Sequence, residues 1–129
     1  MTMRRTALVC AALAVLMPVA AQAMSVADFL AKADALTARG FMAMMSSDVG
    51  LLKSEIMNAS TAYRTDVTAA RTKGQTNLGC PPPKGQARLD SDQLISAFRA
   101  IPAQQRATMS VKTALYGYMA KRFPCPATR

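Results

Sequence analysis

Two cysteines set among prolines constrain this chain more than any other feature: Cys80 in "LGCPPPKG" and Cys125 in "RFPCPATR". Proline fixes φ and lacks an N–H, so neither stretch can lie inside a helix. Whether the two thiols form a staple depends on the compartment, and the N-terminus bears on that. Residues 1–23 read as a secretory signal peptide: Arg4 and Arg5, the apolar run "TALVCAALAVLMPVA", then "AQA" at Ala21–Ala23. The run is short for a membrane span and Pro18 interrupts it. Met3 before the arginine pair, and the lack of a twin-arginine consensus after it, favour the Sec route. Val9 is too bulky for the small residue expected ahead of a lipidated Cys10.

The expected product is a periplasmic chain of residues 24–129, one small domain with no stable membrane span. Of three cysteines it keeps only Cys80 and Cys125. An even pair in an oxidising compartment reads as a disulfide. Closing a loop of about 46 residues removes on the order of 4 kcal/mol of unfolded-state entropy. That is a large share of a total stability of about 5–10 kcal/mol. The flanking prolines hold both partners extended, so less freedom is lost on pairing.

Between the signal and the last cysteine the patterning is helical. Ser25 followed by Asp28 is a capping-box pattern, and Val26, Phe29, Leu30, Ala33 and Leu36 fall on one helical face that Gly40 terminates. "FMAMM" at 41–45 could suggest thioether ligation of Cu(I), but the chain has no histidine to support it. Adaptable packing or a forgiving partner surface is the better reading of Phe41, Met42, Met44 and Met45. A long helix is predicted from about Ser47 to Lys73 on the seam Leu52, Ile56, Ala59, Tyr63, Val67 and Ala70, stopped by Gly74. Its four threonines lower its intrinsic helicity, so packing must hold it.

Residues 74–89 form the cysteine–proline loop. A cap at Asp90 or Ser91 opens a helix with Leu94, Ile95, Phe98 and Ile101 on one face, and Pro102 ends it. The last helix is predicted over Ala103–Phe123, with two apolar stripes: Val111, Ala114, Leu115 and Tyr118, and Tyr116, Met119 and Phe123. Two stripes place it centrally in a bundle, although the second could instead serve a homodimer. Gly117 within it suggests a close helix approach. The fold class implied is all-α: a small four-helix bundle-like domain with one disulfide.

The same residues weigh against catalysis. There is no imidazole base, both retained thiols are committed to the bridge, and Glu55 is the only glutamate. Asp90 and Asp92 are better explained as helix cap and dipole partners. No catalytic residue, cofactor site or metal site is therefore expected. Without Arg4 and Arg5 the chain carries 14 basic and seven acidic side chains, net +7, which favours acidic partners. Nucleic acid is not among them, since the basic residues are dispersed and no aromatic–basic motif accompanies them.

Four stretches carry a family resemblance: "MSVADFLAKADALTARG" after the signal, "CPP" at Cys80–Pro82, "AIPAQQRATMSVKTAL" at 100–115, and "FPCP" at the end. On these the chain resembles the periplasmic immunity proteins of the Rap/Tai type, which neutralise peptidoglycan amidases delivered by type VI secretion. The resemblance implies an all-helical fold, a Cys80–Cys125 bond and a protein–protein role without cofactor. Two loops tied to rigid elements are then the candidate contact surfaces. One is Phe41, Met42, Met44 and Met45; the other is Pro82, Pro83, Lys84 and Arg88. Inhibition would need only steric occlusion of the amidase cleft. Alternative expectations are a periplasmic acid-stress-type chaperone, for which seven carboxylates and no histidine make a weak pH switch, or an envelope-associated structural protein using its charge.

Overall fold

A computed structural model describes residues 23–127, so the signal-peptide reading lies, but for Ala23, outside the described residues. The chain is all-α: α1 (Val26–Arg39), a 3₁₀ helix (Gly40–Met45), α2 (Ser47–Thr72), α3 (Ser91–Ala100), α4 (Ala103–Arg106) and α5 (Val111–Arg122). Each of the longer helices opens on a cap the sequence supplies. Ser25 Oγ accepts from the Asp28 N–H at 3.1 Å and donates to the Asp28 carboxylate at 2.8 Å. Ser46 caps α2 through the Asp48 N–H, and Asp90 caps α3 by accepting from the N–H groups of Asp92 and Gln93. These satisfy donors that a helix start otherwise leaves bare.

One core joins the helices. Val26, Phe29, Leu30 and Ala33 of α1 meet Leu52, Ala59, Tyr63 and Val67 of α2, Leu94 and Phe98 of α3, and Val111, Ala114, Leu115 and Met119 of α5. Phe29 and Phe98 pack edge to face at 5.5 Å, and Tyr63 and Tyr116 do so at 5.2 Å. Such pairs add about 1 kcal/mol beyond area burial. The seam expected on α2 is the one buried, with Ile56 half-buried at its edge. The four threonines of α2 each donate to the carbonyl four residues back, from Thr61 to Met57 O through Thr72 to Thr68 O. Their hydroxyls are therefore absorbed by the helix itself.

The last predicted helix is two helices, and the reason is non-local. Met24–Val26 pairs with Met109–Val111 as an antiparallel bridge: the Val26 N–H donates to Met109 O and the Val111 N–H to Met24 O, both at 2.9 Å. Pairing of this kind requires extended backbone, and Ser110 adopts φ −73°, ψ 152°. The helix therefore ends after Arg106 and restarts at Val111, with Ser110 Oγ capping the Thr113 N–H. Arg106 fastens the short α4 to the end of α3 by donating to the carbonyls of Ile101 and Arg99. α5 is central, as its two stripes required. Tyr116, Met119 and Phe123 pack against the same core, Met119 buried and the other two half-buried.

The loop after α2 is riveted to the bundle. Cys80 and Cys125 are bonded, with Cα atoms 4.8 Å apart, and the Cys80 N–H donates to Phe123 O at 2.7 Å. Prolines cannot donate, but their carbonyls accept: Arg64 binds Pro82 O at 2.6 Å and Arg71 binds Pro81 O at 3.0 Å. The Tyr63 hydroxyl donates to Leu78 O at 2.6 Å. The two guanidinium bonds are charge-assisted, the stronger kind.

Close backbone approach falls at Gly79, not at Gly117. A Cβ on Gly79 would sit 2.8 Å from Phe123 O and 3.1 Å from Ala120 Cα, and its φ is +88°. A Cβ on Gly117 would meet nothing within 4 Å. Opposite outcomes are therefore expected for two alanine substitutions. Gly79→Ala combines a left-handed backbone with a backbone clash and should cost about 3 kcal/mol. Gly117→Ala should stabilise by about 0.5–1 kcal/mol, through helix propensity alone. Urea denaturation of both variants checks the pair.

Candidate functional site

The two nominated surfaces take different forms. At the first, Gly40 ends α1 with φ 57° and ψ −132°, a conformation side-chain-bearing residues avoid, and the chain turns through the 3₁₀ helix into α2. Two brackets hold the turn: Lys32 to Asp48 at 3.1 Å, and Arg39 Nη1 to Ser46 Oγ at 3.4 Å. The Ser46 N–H closes onto Ala43 O. Four large side chains project from this knuckle: Phe41 is 85% exposed, Met42 67%, Met44 78% and Met45 84%. Packing is therefore not what the methionine cluster does in this chain. Val49, Leu51 and Met57 of α2 are exposed as well.

Beyond the knuckle lies an apolar groove between α1, α2 and α3, with Val49, Ile56 and Met57 on one side and Leu36 and Ile95 on the other. Lys53 is the one charged residue in its lining. Isolated exposed apolar residues are ordinary, but a cluster of four on a rigid turn, with an apolar groove nearby, is the form an interaction surface takes.

The second nominated surface is only partly a free loop. Pro82 is half-buried and its carbonyl is occupied by Arg64, whereas Pro83, Lys84 and Arg88 are exposed. Lys84 and Arg88 form one wall of a cleft of about 390 Å³ between the loop and α2. Phe123, just after α5, and Leu89 also line it, above the buried Leu115 and Met119 of α5. The knuckle ends where α2 begins and the cleft begins near Ser60, so about 20 Å of helix separates them. The structure thus does not bring the two nominated surfaces into one site. The exposure of the knuckle was not readable from the sequence, because methionines at this spacing fit a core as well as a surface.

Electrostatics is local. Asp66 of α2 accepts from the Tyr116 hydroxyl of α5 at 2.6 Å. Burial, then that hydrogen bond, and then the carboxylate charge raise the Tyr116 pKa far above its ordinary value. Burial also raises Tyr63, against the opposing charges of Arg64 and Arg71. A folded-state pKa above the unfolded one means that the folded chain holds a proton the unfolded chain has released. The resulting stability is whole below about pH 10 and is lost as pH rises through the folded values. Stability is therefore expected to fall above pH 10, and Tyr116→Phe should flatten that decline. Thermal unfolding of both proteins between about pH 8 and 11 checks this.

Among the described residues no three His, Cys, Asp or Glu side chains gather as metal ligands, and no helix is long and apolar enough to cross a membrane. No family model, curated protein or solved structure matches the chain.

Proposed function

We propose that this chain is an exported, non-enzymatic protein-binding domain of the immunity type. Its Phe41–Met45 knuckle would enter and occlude the cleft of a peptidoglycan amidase. The observation that carries the reading is the knuckle itself: four large apolar side chains held out by a turn that two side-chain brackets fix at both ends. A rigid aromatic and methionine protrusion loses little conformational freedom on insertion, and such anchors dominate interface energetics. The choice of an amidase as partner rests on the sequence resemblance at the N-terminal helix, residues 100–115 and the two cysteine–proline segments. Lys84 and Arg88 would add attraction to an acidic partner without entering its cleft.

The direct test is hydrolysis of peptidoglycan by a type VI amidase encoded beside this chain, titrated with the oxidised protein. Stoichiometric loss of hydrolysis is the expected result. Full amidase activity at a large excess of the protein would defeat the proposal.

A further inference from the structure

Compared with two other depressions among the described residues, the one between α2 and the loop has a distinct electrostatic character. Arg64, Lys84 and Arg88 line it and no carboxylate does, whereas each of the other two has a single lysine in its lining. The ion pairs among the described residues, Lys32–Asp48 and Arg99–Asp34, lie elsewhere, so Lys84 and Arg88 have no acidic partner there. The lining also includes half-buried apolar side chains: Ala87 and Leu89 of the loop and Phe123 just after α5. A cationic wall beside an apolar surface fits a ligand that joins a carboxylate to an apolar group.

A third feature separates a peptide from a simple hydrocarbon. Ser60 Oγ, also in the lining, is buried and has no hydrogen-bond partner. The neighbouring hydroxyls of Thr61 and Thr65 are spent on helix carbonyls, but that of Ser60 is not. A buried polar atom without a partner is costly, and an incoming amide satisfies it where an alkyl chain cannot. The wall carrying the cations is also fixed in place. Arg64 holds Pro82 O from α2, and the Cys80–Cys125 bond holds the start of the loop to the end of the chain.

We infer that this cleft is a second binding site, taking an acidic peptide segment that places an apolar side chain against Leu89 and Phe123 and a carboxylate between Lys84 and Arg88. Ser60 Oγ meets the peptide backbone. The site lies about 20 Å along α2 from the knuckle and stands independently of what the knuckle binds.

The test uses the oxidised, ¹⁵N-labelled protein in the form its host produces. The probe is a short acetylated peptide with one leucine between two glutamates. The controls are the same peptide with lysines in place of the glutamates, and sodium dodecanoate. Saturable shifts at Ser60, Gly85 and Met119 with the acidic peptide alone are expected. Affinity should weaken about tenfold in Lys84→Glu/Arg88→Glu, and should fall as ionic strength rises from about 0.05 to 0.5 M. Since both substituted residues are exposed, the variant keeps its fold, which its amide spectrum verifies. Equal binding of the lysine peptide, shifts confined to the knuckle, or no effect of the double charge reversal would each overturn the inference. Binding of dodecanoate without the peptide would overturn it as well, and would make the site one for anionic amphiphiles. Amidase inhibition is read separately, so the two proposals can fail independently.

Discussion

Replacing Cys80 and Cys125 together with alanine should lower stability by about 4 kcal/mol and the melting temperature by on the order of 20 °C. The bond spans 45 residues and links the post-α2 loop to the end of the chain after α5, two segments with no helix of their own to hold them. Without it, the hydrogen bonds from Tyr63, Arg64 and Arg71 to Leu78 O, Pro82 O and Pro81 O are left to fix the loop. Each has a net worth of about 1–2 kcal/mol, and all three tie the loop to α2 rather than to the end of the chain, so they do not replace the bond. Gly79 and the Cys80 N–H should then part from Phe123, exposing the end of α5. Calorimetry of the oxidised, reduced and double-alanine proteins checks the prediction, the last two being expected to melt together. A melting point unchanged by reduction would show that packing alone holds the loop.

The second large effect concerns binding. Phe41→Ser/Met44→Ser/Met45→Ser should weaken capture of the partner at least about 100-fold, the loss of two or three interface anchors. The same changes should move stability by less than about 0.5 kcal/mol, because none of the three side chains belongs to the core. That dissociation of effects is the signature sought. Phe98→Ala, which empties a fully buried site between α1 and α5, should do the reverse by costing about 3–5 kcal/mol. Its effect on the partner should follow from the unfolded fraction alone. Far-UV circular dichroism and titration calorimetry on both variants distinguish the two kinds of loss.

The helices were legible in the sequence because their signals are local. Ser25, Ser46 and Asp90 cap where their side chains reach the next turn, and the seam from Leu52 to Ala70 is simply the period of a helix. The disulfide was legible because the expected signal peptide holds the third cysteine, leaving an even pair in the rest of the chain. The break at Ser110 was not, since it is imposed by the backbone of Met24–Val26, more than 80 residues away in sequence. Within its own segment, "RATMSVKTAL" favours a continuous helix. Gly117 misled for a related reason: a helix-interior glycine signals close packing only if a neighbour is there, and none is. The knuckle was visible as composition, but its exposure depends on how α1 meets α2. The cleft near Ser60 was hidden altogether, because it exists only where the loop, α2 and α5 converge.

The measurement that bears most directly on the protein-binding account is an affinity capture from the envelope of the host, with brief crosslinking and mass spectrometry. The intact protein and the Phe41/Met44/Met45 serine variant would be run side by side. The account predicts one peptidoglycan amidase at near-equal stoichiometry on the intact protein and its loss from the variant. An identical set of proteins on both baits, or an intact bait that retains no amidase, would contradict it.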